Sequence, residues 1–80
     1  MAVTVVFLGP LRDLAGVASC EVAAPLDWAG LLGAVNAAVA DQLSNMRVNV
    51  ACAGKVLADK TTLLAHDGDE VALLPPVSGG

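Results

Sequence analysis

The chain has 80 residues, 56% of them apolar, and a formal net charge of −4 from eight acidic and four basic side chains. That length supports one small core, burying roughly 60–65% of the surface the unfolded chain exposes, and the lack of any basic cluster argues against nucleic acid as a partner. Apolar residues exceed the roughly 45–50% of an ordinary soluble domain. Much of the excess is alanine, and Phe7 and Trp28 are the aromatic residues, so the expected core is Val, Leu and Ala, with some large aliphatic side chains left over for a partner-binding face.

Val3 to Leu8 is a β-branched run of strand length ended by Gly9-Pro10, which predicts a buried strand. The run ends too soon to span a bilayer and no basic segment precedes it, so neither a signal peptide nor a membrane anchor is expected. Leu11 to Ala15 reads as a short helical turn closed by Gly16, and Ser19 to Ala23 as a second strand returning beside the first, ended by Pro25. Asp27 is placed to cap a helix. Trp28, Leu31, Leu32, Val35, Val39 and Leu43 follow at spacings of three and four, which predicts one main helix over about Asp27 to Asp41 with a single apolar stripe. Gly30 and Gly33 within it are expected to mark close packing against the sheet, since each costs about 1 kcal/mol relative to alanine. Arg47 to Ala53 alternates as a half-buried strand does. Ala53-Gly54-Lys55 is a turn, Val56 to Ala58 a short return strand, Thr61 to Ala65 a helical turn, and Asp67-Gly68-Asp69 a strong turn signal. Glu70 to Leu74 is the last strand, stopped by Pro75-Pro76, which cannot donate to a ladder. One helix stripe and one sheet face can cover each other, giving a two-layer α+β domain.

The side chains offer little independent chemistry. Cys20 and Cys52 form no CxxC motif and read as free thiols suited to a reducing cytoplasm. His66 stands without a nucleophile and reads as a surface residue. Asp67, Asp69 and Glu70 have the wrong spacing for a calcium loop, leaving a solvated turn or a docking point for a basic partner. Gly30 and Gly33 lack the lysine and paired-glycine turn of a phosphate loop. Without a triad, metal cluster or cofactor loop, no turnover is expected from the isolated chain. The end of the chain, LLPPVSGG, is different: a terminal Gly79-Gly80 adds little stability, so it is either a frayed end or the working part.

Two stretches settle the choice by resemblance. DGDEVALLPPVSGG, Asp67 to Gly80, closely resembles the C-terminus of the small subunit of molybdopterin synthase, a MoaD-like sulfur carrier, and VVFLGPLRDLAG, Val5 to Gly16, resembles the family's first strand and following turn. The resemblance implies a ubiquitin-like β-grasp fold with a mixed sheet of four to five strands on one main helix, occupying residues 1–76, and a flexible tail over 77–80. It further implies that an adenylating enzyme resembling ubiquitin-activating enzymes uses ATP to activate the Gly80 carboxylate. A sulfurtransferase or cysteine desulfurase then supplies the sulfur that displaces AMP, and the Gly80 thiocarboxylate delivers it to a cyclic pyranopterin phosphate in the synthase large subunit. This chain would bind no cofactor or metal itself. By analogy, two copies flank a large-subunit dimer as a heterotetramer.

Val77, Ser78 and Gly79 would enter narrow partner sites behind Gly80, with Pro75 and Pro76 favouring an extended exit. Val77 to Gly80 reaches about 13–14 Å when extended. For docking, Phe7, Leu8, Leu57, Leu73 and Leu74 are candidates, of which alternation lets about half face outward. The family interface lies on the sheet face beside the tail, which favours Leu8 and Leu74, while Arg12 stands between a local ion pair and a partner contact. Many members carry aromatics where this chain has Leu73-Leu74, and asparagine where it has Ala53. Two further readings keep the tail chemistry: a carrier for thiamine or another sulfur metabolite, with the helix and PPVSGG arguing against the thiazole type, and a ubiquitin-like modifier joined through Gly80 to lysines of other proteins.

Overall fold

Val3, Val5 and Phe7 alternate with half-buried neighbours along the first strand, β1 (Ala2–Phe7), and this period of two gives the strand one face for the core. The computed structural model describes residues 1–76. Six more strands follow: β2 (Ser19–Ala23), β3 (Leu26–Asp27), β4 (Asn49–Cys52), β5 (Lys55–Val56), β6 (Leu64–Ala65) and β7 (Glu70–Leu74). Three helices, α1 (Pro10–Ala15), α2 (Trp28–Ala34) and α3 (Ala37–Leu43), and a single 3-10 turn at Lys60–Thr62 complete the order.

Five strands form one mixed sheet in the order β2-β1-β7-β4-β5. β1 and β7 run parallel at its centre, from Thr4↔Glu70 to Phe7↔Leu73, and the other pairs are antiparallel. The helices cover one face. Val3, Val5 and Phe7 of β1, Val50 of β4, and Val71 and Leu73 of β7 meet Leu11 of α1, Leu31 of α2, and Val39 and Leu43 of α3 in a single core. Each such side chain contributes roughly 1.5–3 kcal/mol on burial. The result is the ubiquitin-like β-grasp that the resemblance implied, with five strands.

The helical layer departs from expectation. The predicted single helix over Asp27 to Asp41 is two helices of seven residues, broken where Val35 and Asn36 adopt extended backbone. Asn36 causes the break. Its Oδ1 accepts the Val39 N–H at 2.9 Å, capping α3, and its Nδ2 donates to the Leu14 carbonyl at 2.8 Å. Such side-chain bonds offer the backbone an alternative to continuing the helix. The apolar stripe survives because Leu31, Val35, Val39 and Leu43 are spaced by four on either side of the break.

Asp27 caps α2 as expected, accepting the Gly30 N–H at 2.7 Å. The close packing at Gly30 is against that cap, not against the large sheet: a Cβ there would lie 3.0 Å from Asp27 Oδ1 and 3.1 Å from Leu26 Cδ1. Gly33 has no described atom within 4 Å of where its Cβ would stand, so it marks no close approach. The predicted helical turn over Thr61 to Ala65 shifts to Lys60–Thr62, where Asp59 Oδ1 accepts the Thr61 N–H at 3.0 Å. Leu64–Ala65 instead pair with Leu26–Asp27 as a two-stranded sheet.

Candidate functional site

Both central strands of the sheet point their C-terminal ends at the same edge of the molecule. The last residues paired between these two strands are Phe7 and Leu73, both buried, and the next residues are Leu8, 39% exposed, and half-buried Leu74. Pro75 is half-buried and Pro76 exposed. Val77, Ser78, Gly79 and Gly80 lie outside the described residues.

Alternation assigns the faces. Val71 and Leu73 of β7 turn to the core, so Ala72 and Leu74 turn outward. The register then places Val6, Ala72, Ala51 and Val56 side by side across four strands of the outer face, with Leu74 beside Asn49 in the neighbouring pair. Val56 is 61% exposed. This row of small and medium apolar side chains contains none of the leucines that the sequence singles out for docking. The signal was present in β1, where outward Val6 stands at a position that alternation usually gives to a polar residue.

Of the predicted docking residues, Leu8 and Leu74 flank the point where the chain leaves the sheet. Leu57 does not join them. Its N–H donates to the Val50 carbonyl at 2.8 Å, and its side chain packs against the core. There it lines a groove of about 240 Å³ with Met46, Val48, Asn49 and Lys60. Arg12 is exposed on α1, and its backbone carbonyl accepts the Gly16 N–H at 2.9 Å.

The polar side chains are largely engaged in holding the scaffold. Asp67 Oδ1 accepts the Ala2 N–H at 2.8 Å and Asp69 Oδ2 accepts the His66 N–H at 2.9 Å, so the acidic turn ties β7 to the start of β1. Lys60 Nζ donates to the carbonyls of Asn45 and Val48 and stands 5.9 Å over the Trp28 ring, while burial lowers its pKa. Cys20 and Cys52 sit in one cross-strand row, separated by Val5 and Val71. Burial raises both thiol pKa values, and the negative charge of Asp69 raises that of Cys52 further. Both thiols therefore stay protonated at neutral pH and are weak nucleophiles. Among the described residues no group of three or more His, Cys, Asp or Glu is placed to hold a metal ion, and no helix is long and apolar enough to cross a membrane.

Residues 5–80 match the model of the ThiS family. No curated protein matches in sequence. Among solved structures, the HVO 2177 protein of Haloferax volcanii is 26% identical, with a TM-score of 0.77 over 100% of this chain and 87% of its own. Subunits 1 and 2 of the molybdopterin-converting factor of Helicobacter pylori 26695 form a complex containing a chain 27% identical to this one, with a TM-score of 0.70 and both chains covered in full. Small archaeal modifier protein 1 of Methanosarcina acetivorans shares the fold at 22% identity, with a TM-score of 0.71 over 99% of this chain and 96% of its own.

Proposed function

Because the chain belongs to the ThiS family of ubiquitin-like, MoaD-type sulfur carriers, we propose that it carries sulfur as a thiocarboxylate on Gly80 and donates it to a cyclic pyranopterin phosphate during molybdopterin synthesis. The observation that carries this reading is the extent of the family match, which runs through the terminal glycines to residue 80. The pathway assignment is supported by the match to the Helicobacter pylori molybdopterin-converting factor complex at full coverage of both chains. On this reading the partner is a synthase large subunit, docked on the outer sheet face around Leu74 and Leu8.

The chemistry proceeds in two exchanges. An adenylating enzyme joins the Gly80 carboxylate to the α-phosphate of ATP, releasing pyrophosphate, because a free carboxylate is a poor electrophile. A hydrosulfide-equivalent donor then attacks the acyl carbon, AMP leaves, and the carbonyl retains one oxygen and one sulfur. The scaffold's task is to hold β7 rigid, so that Pro75, Pro76 and the residues beyond enter the partner while the domain stays outside. With both cysteines protonated and engaged in packing, the terminus is the chain's acyl-transfer group.

Mass spectrometry of the intact chain from its native host tests this. Exchange of one oxygen for sulfur at Gly80 is expected. An unmodified carboxylate in every sample would overturn the proposal, and a diglycine remnant on lysines of other proteins, without any thiocarboxylate, would replace it with protein modification.

A further inference from the structure

Where β1 gives way to α1, the backbone of Gly9 has φ 55° and ψ −132°. An L-residue with a side chain reaches that region only under strain. The same glycine makes a close contact: a Cβ on it would lie 3.2 Å from Pro75 Cγ and 4.0 Å from Pro75 Cβ. Its bare backbone is therefore the surface against which the first proline after β7 rests.

Gly9 is held from the other side. Its carbonyl accepts the Arg12 N–H at 3.0 Å, Pro10 opens α1, and Leu11 is buried in the core. The turn cannot shift without disturbing the helix. Pro75 is equally constrained, since its ring fixes its own φ and keeps Leu74 extended. Two stiff elements thus meet at one point beyond Phe7 and Leu73, the last residues paired between β1 and β7.

We propose that Gly9 is a positioning residue for the C-terminal segment: by seating Pro75, it sets the line along which the chain leaves the sheet toward Gly80. The inference rests on the sulfur-carrier reading for its functional consequence. Gly9 acts through Pro75 and touches no reacting atom. A side chain at position 9 must push Pro75 aside or turn the glycine out of its conformation, and either change re-aims the terminus presented to the adenylating enzyme.

The test compares Gly9→Ala, Pro75→Ala and the double variant with wild type, each expressed in the native host at matched levels. Thiocarboxylate at Gly80 is followed against time by intact mass, and thermal melting is recorded in parallel. Each single variant is expected to slow sulfur loading on the order of tenfold, within the range that an ångström-scale misplacement costs. The double variant is expected to load no more slowly than the slower single, because both changes break one contact. A Pro75→Ala chain that melts as wild type and loads at the wild-type rate would overturn the proposal, and so would effects that multiply. Should Gly9→Ala fail to fold, Pro75→Ala decides when compared with Pro76→Ala, which loses a proline ring without the Gly9 contact: loading no slower in Pro75→Ala than in Pro76→Ala overturns the proposal. If wild type takes up no sulfur, the sulfur-carrier reading fails instead. Positioning is then decided by residual dipolar couplings of the amides after Pro76 in the purified chain, which Gly9→Ala shifts if the contact aims the segment and leaves unchanged if it does not.

Discussion

Ala53 has φ 52° and Gly54 φ 85°, and together they are the two-residue loop between paired Cys52 and Lys55. Hairpin loops with both central residues at positive φ favour Asn-Gly, because asparagine tolerates that region and alanine does not. The turn was legible from Gly54, but the strain was not, since alanine carries no sign of the conformation its neighbours impose. Ala53→Asn is expected to stabilise the domain by about 1 kcal/mol, read as a higher urea midpoint at unchanged slope. An unchanged or lower midpoint would show that the alanine is accommodated without cost. Asp67 and Asp69 make the converse point. Sequence marks them as turn formers, and the Asp69 bond to the His66 amide is local to the turn, whereas the Asp67 bond to the Ala2 amide depends on which strand lies alongside, and spacing along the chain does not encode that.

The elements set by one periodicity came through whole. Ser19–Ala23 and Glu70–Leu74 are strands with the bounds that alternation and prolines indicate. The helix did not, because its spacing of four is indifferent to a break at Val35 and Asn36, and a single asparagine supplies both the cap of α3 and a tie to α1. The small β3-β6 sheet was invisible for a related reason: two-residue strands have no period to read. Asn36→Ala removes the cap and the bond to the Leu14 carbonyl together. The expected loss is about 1–2 kcal/mol, the upper part of the range for an N-cap, measured by denaturant unfolding. Asn36→Asp keeps the accepting oxygen and forfeits the donor, so it should recover the capping share alone. If it is as destabilised as Asn36→Ala, the tie to Leu14 carries the effect and the cap does not.

At the scale of the whole molecule, the strand order brings together residues that the sequence keeps apart. β1 and β7 come from opposite ends of the chain, yet they lie parallel at the centre of the sheet, so the end that leaves β7 is braced by the turn that follows β1. The same order builds the outer apolar row of Val6, Ala72, Ala51 and Val56 and sets Leu74 next to it, while Leu57 goes to the core side. Resemblance favours Leu74 for docking, and the register sets it outward beside the exit, on the opposite side from Leu57. Leu74→Asp provides the discriminating case. Its side chain is outward and half-buried, so the domain should melt within a few degrees of wild type. A carboxylate in an apolar interface forfeits roughly the 1.5–3 kcal/mol of a buried leucine, which corresponds to about 10- to 150-fold in Kd for the synthase large subunit by calorimetry. Leu57→Asp should behave oppositely and destabilise the fold, since it places a charge against the core. Equal affinity in wild type and Leu74→Asp would move the docking surface off this face of the sheet.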